Sequence, residues 1–194
     1  MRLWELSALI SLCVCLCAGV WAQGRQHSLS AGLVRLHVLA VSDEAEEQAV
    51  KLAVRDAVLD YLTPQLKDIS TVQAAEEIIT QALPGIEAAA RAAAGDRPVT
   101  VTLDDERYPT RVYEGFSLPA GRYRSLRVIL GEGKGHNWWC VVFPPVCLSA
   151  VQAEAVRPAM NPEDYALITN AEGWQLRFRT VELWGELVNK WEER

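Results

Sequence analysis

One stretch concentrates nearly all the residue types that do chemistry: Gly131-Glu132-Gly133-Lys134-Gly135-His136-Asn137-Trp138-Trp139-Cys140-Val141-Val142-Phe143-Pro144-Pro145-Val146-Cys147. Three chemistries suggest themselves. The alternating glycines around Lys134 invite a phosphate cradle. The required G-x-x-x-x-G-K-[ST] spacing is absent, however, and the sequence runs on into Trp138-Trp139 without a helix start to supply an anion-binding N-terminus. His136 and Cys140 invite a thiol–imidazole pair. A nucleophile needs a base in hydrogen-bond reach and a third group to orient it. A cysteine inside Trp-Trp-Cys-Val-Val-Phe belongs instead to a buried, unreactive setting. Cys140 and Cys147 invite a disulfide, the Pro144-Pro145 turn bringing the chain back on itself; two buried thiols are the alternative, and both readings stay open at this point. Zinc is not expected, because two thiols remain and His27, His37 and His136 are scattered.

The elements that must position this stretch follow from periodicity. Val34, Leu36, Val38 and Ala40 alternate as a strand. Ser42-Asp43, with Glu46 three residues after Asp43, reads as a capping box opening a helix that ends at Thr63-Pro64. Ser70 or Thr71 opens a second helix of about three turns. Pro84 opens a third, alanine-rich helix closed by Gly95. Strand patterns follow at Pro98–Leu103, Tyr108–Tyr113 and Tyr123–Leu130. The glycine stretch then reads as a tight hairpin loop, its glycines at positive φ, leading into a strand over Trp138–Phe143. On a strand, Trp138 and Trp139 point to opposite faces, so one joins the core and the other is covered or used in binding. Val151 to Glu172 is poorly patterned. Trp174, Leu176 and Phe178 alternate, and Val181, Trp184, Val188 and Trp191 share a helical face. The expected fold is α+β: a mixed or antiparallel sheet, an N-terminal group of about three helices and a C-terminal helix.

The 194-residue length supports one domain with a real core. The net charge of −6 lacks the basic footprint of a nucleic-acid binder. Met1-Arg2, the apolar run Leu6–Ala22 and Val20-Trp21-Ala22 have the layout of a secretory signal peptide over residues 1–22, with a retained anchor as the alternative. Cys13, Cys15 and Cys17 are apolar filler within it. Residues 23–33 read as a linker and residues 34–194 as a single exported domain. No catalytic residue, cofactor or metal site is expected.

Taken in order, these segments resemble the stage II sporulation protein R family. The resemblance is carried by Val34–Asp43, Lys51–Val58, Tyr108-Pro109-Thr110-Arg111, Leu118–Tyr123, Arg177–Leu183 and, most specifically, Gly131–Cys147. Val41 stands where the family usually has Asn before Ser-Asp, so no role for a side-chain amide carries over. The resemblance implies a role in place of a reaction. Such a protein is exported from the forespore into the space between the forespore and mother-cell membranes. There it is a signal that activates a membrane-embedded aspartic protease, leading to pro-sigma-E processing in the mother cell. It implies no small-molecule substrate and no nucleic acid, and membrane contact only through the export segment or the receptor. On that reading the receptor-contact residues are Gly131, Glu132, Gly133, Lys134, Gly135, Asn137, Trp138, Trp139, Pro144 and Pro145. The competing readings are an exported cell-wall enzyme using Cys140 and a structural envelope protein.

Overall fold

The computed structural model describes residues 3–113 and 116–144. The order of elements is α1 (Leu3–Ala31), β1 (Val34–Leu39), α2 (Ala45–Leu66), α3 (Val72–Ala94), β2 (Val99–Tyr108), β3 (Arg111–Tyr113), β4 (Phe116–Leu118), β5 (Gly121–Leu130) and β6 (Asn137–Phe143). The α+β expectation is met. The expected C-terminal helix, the strand expected before it, the Val151–Glu172 connection, Pro145 and Cys147 lie outside the described residues. α1 includes the stretch read as a linker: residues 23–31 continue its helix. Its apolar side chains, such as Leu9, Ile10 and Leu12, are exposed. Among the described residues no helix is long and apolar enough to cross a membrane.

Four strands form a mixed sheet in the order β2-β5-β1-β6, and β3 pairs with β4 as a separate hairpin. β1 runs parallel to β5 and antiparallel to β6, while β2 and β5 are antiparallel. One face carries Val34, Leu36 and Val38 of β1, Leu126, Val128 and Leu130 of β5, and Cys140 of β6. These are packed in a single core with α2 and α3. The strand alternation that is visible in the sequence supplies that face.

Two helices, not three, follow β1 before the next strand. The break expected at Pro84 does not occur, since α3 runs through it from Val72 to Ala94. An interior proline removes a backbone hydrogen bond and crowds the preceding turn. Against this, Ala75, Ile79, Ala82, Ile86, Ala90 and Ala94 form one buried stripe that passes Pro84 without a change of phase. Burying that stripe outweighs the local defect. Pro64 likewise sits within the last turn of α2, between buried Leu62 and Leu66. Thr71 does cap α3, accepting from the Ala74 N–H, and Gly95 closes it at φ 67°. The capping box proposed for α2 is absent. Its N-cap is Glu44, with no side-chain cap bond, and Asp43 is engaged elsewhere.

Candidate functional site

The glycine stretch is not a hairpin. β5 and β6 do not pair, because β1 lies between them. Two strand spacings separate them, about 10 Å. The six residues Gly131–His136 therefore cross the carboxyl end of β1, over the turn that leads into α2. Backbone amides anchor the crossing. Gly131 N–H donates to the Pro98 carbonyl (2.8 Å), Gly133 to Leu130 (3.0 Å) and Gly135 to Ala40 (2.9 Å). Gly131 and Gly133 have φ of 57° and 63°, the left-handed region that glycine enters without penalty. Gly135 is required for a different reason: a Cβ there would lie 2.3 Å from the Ser42 carbonyl oxygen. Loop and turn touch backbone to backbone.

Side chains complete the join. The exposed Asp43 carboxylate accepts the His136 backbone N–H at 2.6 Å and also binds its Nδ1. Lys51, in the second turn of α2, is only 5% exposed. Its ammonium donates to Gln48 Oε1 and to the His136 carbonyl (3.1 Å), while Gln48 Nε2 donates to the Ser42 carbonyl (2.8 Å). Burial lowers the Lys51 pKa, partly opposed by the Asp43 charge and reinforced by Arg55. Glu132 and Lys134 pair with each other at the exposed tip.

Trp138 and Trp139 take opposite faces, and both are half-buried. Trp138 packs against the helical core, with the Arg55 guanidinium 4.4 Å above its ring. Trp139 lies on the other face, 5.4 Å from the His37 ring, with Arg111 3.5 Å over its own ring. Neither is simply core or simply exposed: each is stacked under an arginine. Asn137 is exposed. Cys140 is buried and disulfide-bonded, so it has no thiol to offer as a nucleophile, and the imidazole of His136 is bound to Asp43. Cys147, the expected partner of Cys140, lies outside the described residues, as does Pro145. Pro144 follows the end of β6.

Sequence reasoning missed the second face of the sheet. Arg35 and His37, at the polar positions of the β1 alternation, are buried along with Ser125. His37 Nδ1 lies 2.8 Å from Glu106 Oε1. Ser125 Oγ donates to Glu106 Oε2 (2.8 Å) and is 2.7 Å from the Tyr108 hydroxyl. Arg127 Nε approaches Glu106 at 3.2 Å, and Arg35 stacks 3.8 Å over Tyr108. Burial alone would raise the Glu106 pKa, but the His37 bond and charge, with Ser125 and Arg127, hold it below its ordinary value. Burial drives the Tyr108 hydroxyl strongly upward. Ser125 bonds the carboxylate and not the imidazole, so the trio lacks the nucleophile–base contact of an acyl-transfer site. It is a buried polar network that locks β1, β2 and β5 together. The only sequence signal for it was an arginine and a histidine inside a strand.

Known proteins give the rest. The family model for stage II sporulation protein R matches residues 30–153. Stage II sporulation protein R of Bacillus subtilis (strain 168) is 37% identical over 135 residues, covering 67% of this chain and 60% of the relative. The chain thus matches somewhat under two thirds of that relative's length. No solved structure matches. The matched span takes in the whole sheet, both core helices and the crossing loop, and on that ground the chain belongs to the stage II sporulation protein R family.

Proposed function

We propose that this protein is an exported sporulation signal, acting from the space between the forespore and mother-cell membranes. Its receptor is a membrane-embedded aspartic protease, whose activation leads to pro-sigma-E processing. The observation that carries this reading is the crossing loop with its two arginine-stacked tryptophans. It is an anchored feature within the matched span, with Glu132, Lys134 and Asn137 exposed and both tryptophans half-buried, and the described residues give it no catalytic constellation. A ligand activates a receptor only through differential affinity for its active state. A pre-ordered surface serves that end because little conformational entropy is lost on docking. The apolar Leu6–Ala22 run supports export, and the disulfide at Cys140 fits an oxidising compartment. Residues 131–135 and 137–139 are the proposed contact; Pro144, expected among them, is buried after the end of β6.

The test is co-expression of the full chain with the protease and its pro-sigma substrate in a non-sporulating host. Processing is expected only when this protein is present and exported. Processing that proceeds equally without it would remove the signalling role. Bond-free Cys140→Ser then separates signal from enzyme: a signal keeps its activity in proportion to the folded fraction, whereas an enzyme using that sulfur loses all of it.

A further inference from the structure

The crossing loop is held mostly by groups outside itself. Of its four anchored amides, only Gly133 bonds within the local turn, to Leu130. Gly131, Gly135 and His136 reach Pro98, Ala40 and Asp43. Lys51 adds a fifth tie at the His136 carbonyl. A buried ammonium whose hydrogen-bond partners are a neutral amide and a neutral carbonyl is an expensive way to fill space, where Leu or Met would pack more favourably. What Lys51 supplies is position: it fixes Gln48, which holds the Ser42 carbonyl, and fixes the end of the loop. With Gly135 against Ser42, turn and loop form one continuous patch.

We infer that the receptor-competent shape of Gly131–His136 is set by a clamp of Asp43, Gln48 and Lys51, and that the docking surface is composite, joining this loop to the Val41–Glu44 turn. This inference rests on the signalling reading above. The kind of partner follows from the patch's outer groups. These are Glu44 from the turn and Glu132, Lys134, His136 and Asn137 from the loop and the start of β6, all exposed. That surface is polar and of mixed sign, without the cationic excess that an anionic lipid surface or a nucleic acid requires. It suits a folded protein face bearing its own mixed charges. Asp43, Gln48 and Lys51 are positioning residues, while Glu44 and the loop tip are contacts.

The experiment uses the full chain, in the co-expression assay and as purified exported protein. Asp43→Ala alters an exposed side chain and removes the His136 tie. Lys51→Met removes the buried one. Arg91→Ala, on the exposed face of α3, is the control. Amide exchange at Gly135 and His136 and the dose–response of pro-sigma processing are read together. Both clamp variants are expected to lose loop protection by roughly tenfold, the size of one charge-assisted hydrogen bond. The dose–response shifts by the factor by which the closed fraction falls, which the residual protection gives, since apparent affinity scales with the competent fraction and not with protection itself. The core strands keep their protection, and Arg91→Ala changes nothing. Retained loop protection in the folded variants overturns the clamp and leaves the signalling reading intact. A closed fraction that falls with an unchanged dose–response overturns the composite surface and the loop-contact reading together. If Lys51→Met fails to fold, Asp43→Ala decides alone.

Discussion

At the scale of single residues, the telling positions are those where a polar group is buried and answered. Glu106 is the clearest. Its carboxylate takes His37, Ser125 and Arg127 on the second sheet face and is held below its ordinary value near 4.5. A carboxylate with a depressed folded-state pKa contributes stability above its unfolded pKa and loses it as pH falls through the folded value. Stability at Glu106 is therefore intact at neutral pH and declines below about pH 4.5. Urea unfolding between pH 3 and 7 is expected to show that decline, and Glu106→Gln should flatten it while lowering stability at pH 7. An unchanged slope in Glu106→Gln would assign the acid sensitivity to other carboxylates. Trp139→Ala strips the ring that Arg111, His37 and Tyr108 pack on. For a half-buried indole the expected loss is about 2–3 kcal/mol, below the full range for a buried aromatic, read from the urea midpoint. Trp139 and Trp138 were singled out by their neighbouring positions. Their different surroundings, the polar network for one and the helical core for the other, were not visible in the sequence.

Among the elements, α3 best shows how tertiary burial overrides a local rule. Pro84 marks a boundary by every short-range criterion, yet the apolar stripe on either side is continuous and wholly packed. Pro84→Ala should restore a backbone donor without moving that stripe. Stability is then expected to rise by about 1–3 kcal/mol, measured by denaturant unfolding with an unchanged m-value. A fall would mean that the helix is shaped around the proline and that the substitution strains its packing. At the N-terminus of α2 the discrepancy bears on the proposed contact. Asp43 has the spacing of a cap, but its carboxylate goes to His136, 93 residues away in sequence. Capping and loop clamping compete for one side chain, and the long-range partner wins because its bonds are charge-assisted. Arg97 performs a comparable service, tying the chain after α3 to Glu47 and Glu46 at the start of α2.

For the whole molecule, the proposed export and the architecture make separable predictions. Replacing residues 1–22 with an unrelated signal peptide should preserve pro-sigma processing in the co-expression host, whereas deleting them should abolish it without unfolding the domain. Loss of activity with the replacement, at equal exported amounts, would assign α1 a role beyond delivery. Removing the Cys140 disulfide should cost about 2–4 kcal/mol, seen as a lower urea midpoint in Cys140→Ser.

The sequence by itself determined much of this. Strand alternation at Val34–Ala40 and Leu126–Leu130 defined the core face, because side-chain direction on a strand depends only on position parity. A helix start at Ser70 or Thr71 and a helix end at Gly95 were legible, because cap preferences are local; that they bound one helix was not. The stretch from Gly131 to Cys147 was distinctive enough to point to the family. Tertiary structure decided what depended on strand order. Once β1 lies between β5 and β6, the glycine loop must cross the end of β1 instead of turning back. That crossing recruits Asp43 from capping, buries Lys51 and leaves no room for a Cβ at Gly135. The same order sets β1 beside β5, with β2 on its far side, and so gathers Arg35, His37, Glu106 and Ser125 on one face. No local pattern encodes that assembly, because its members meet only when distant strands pair.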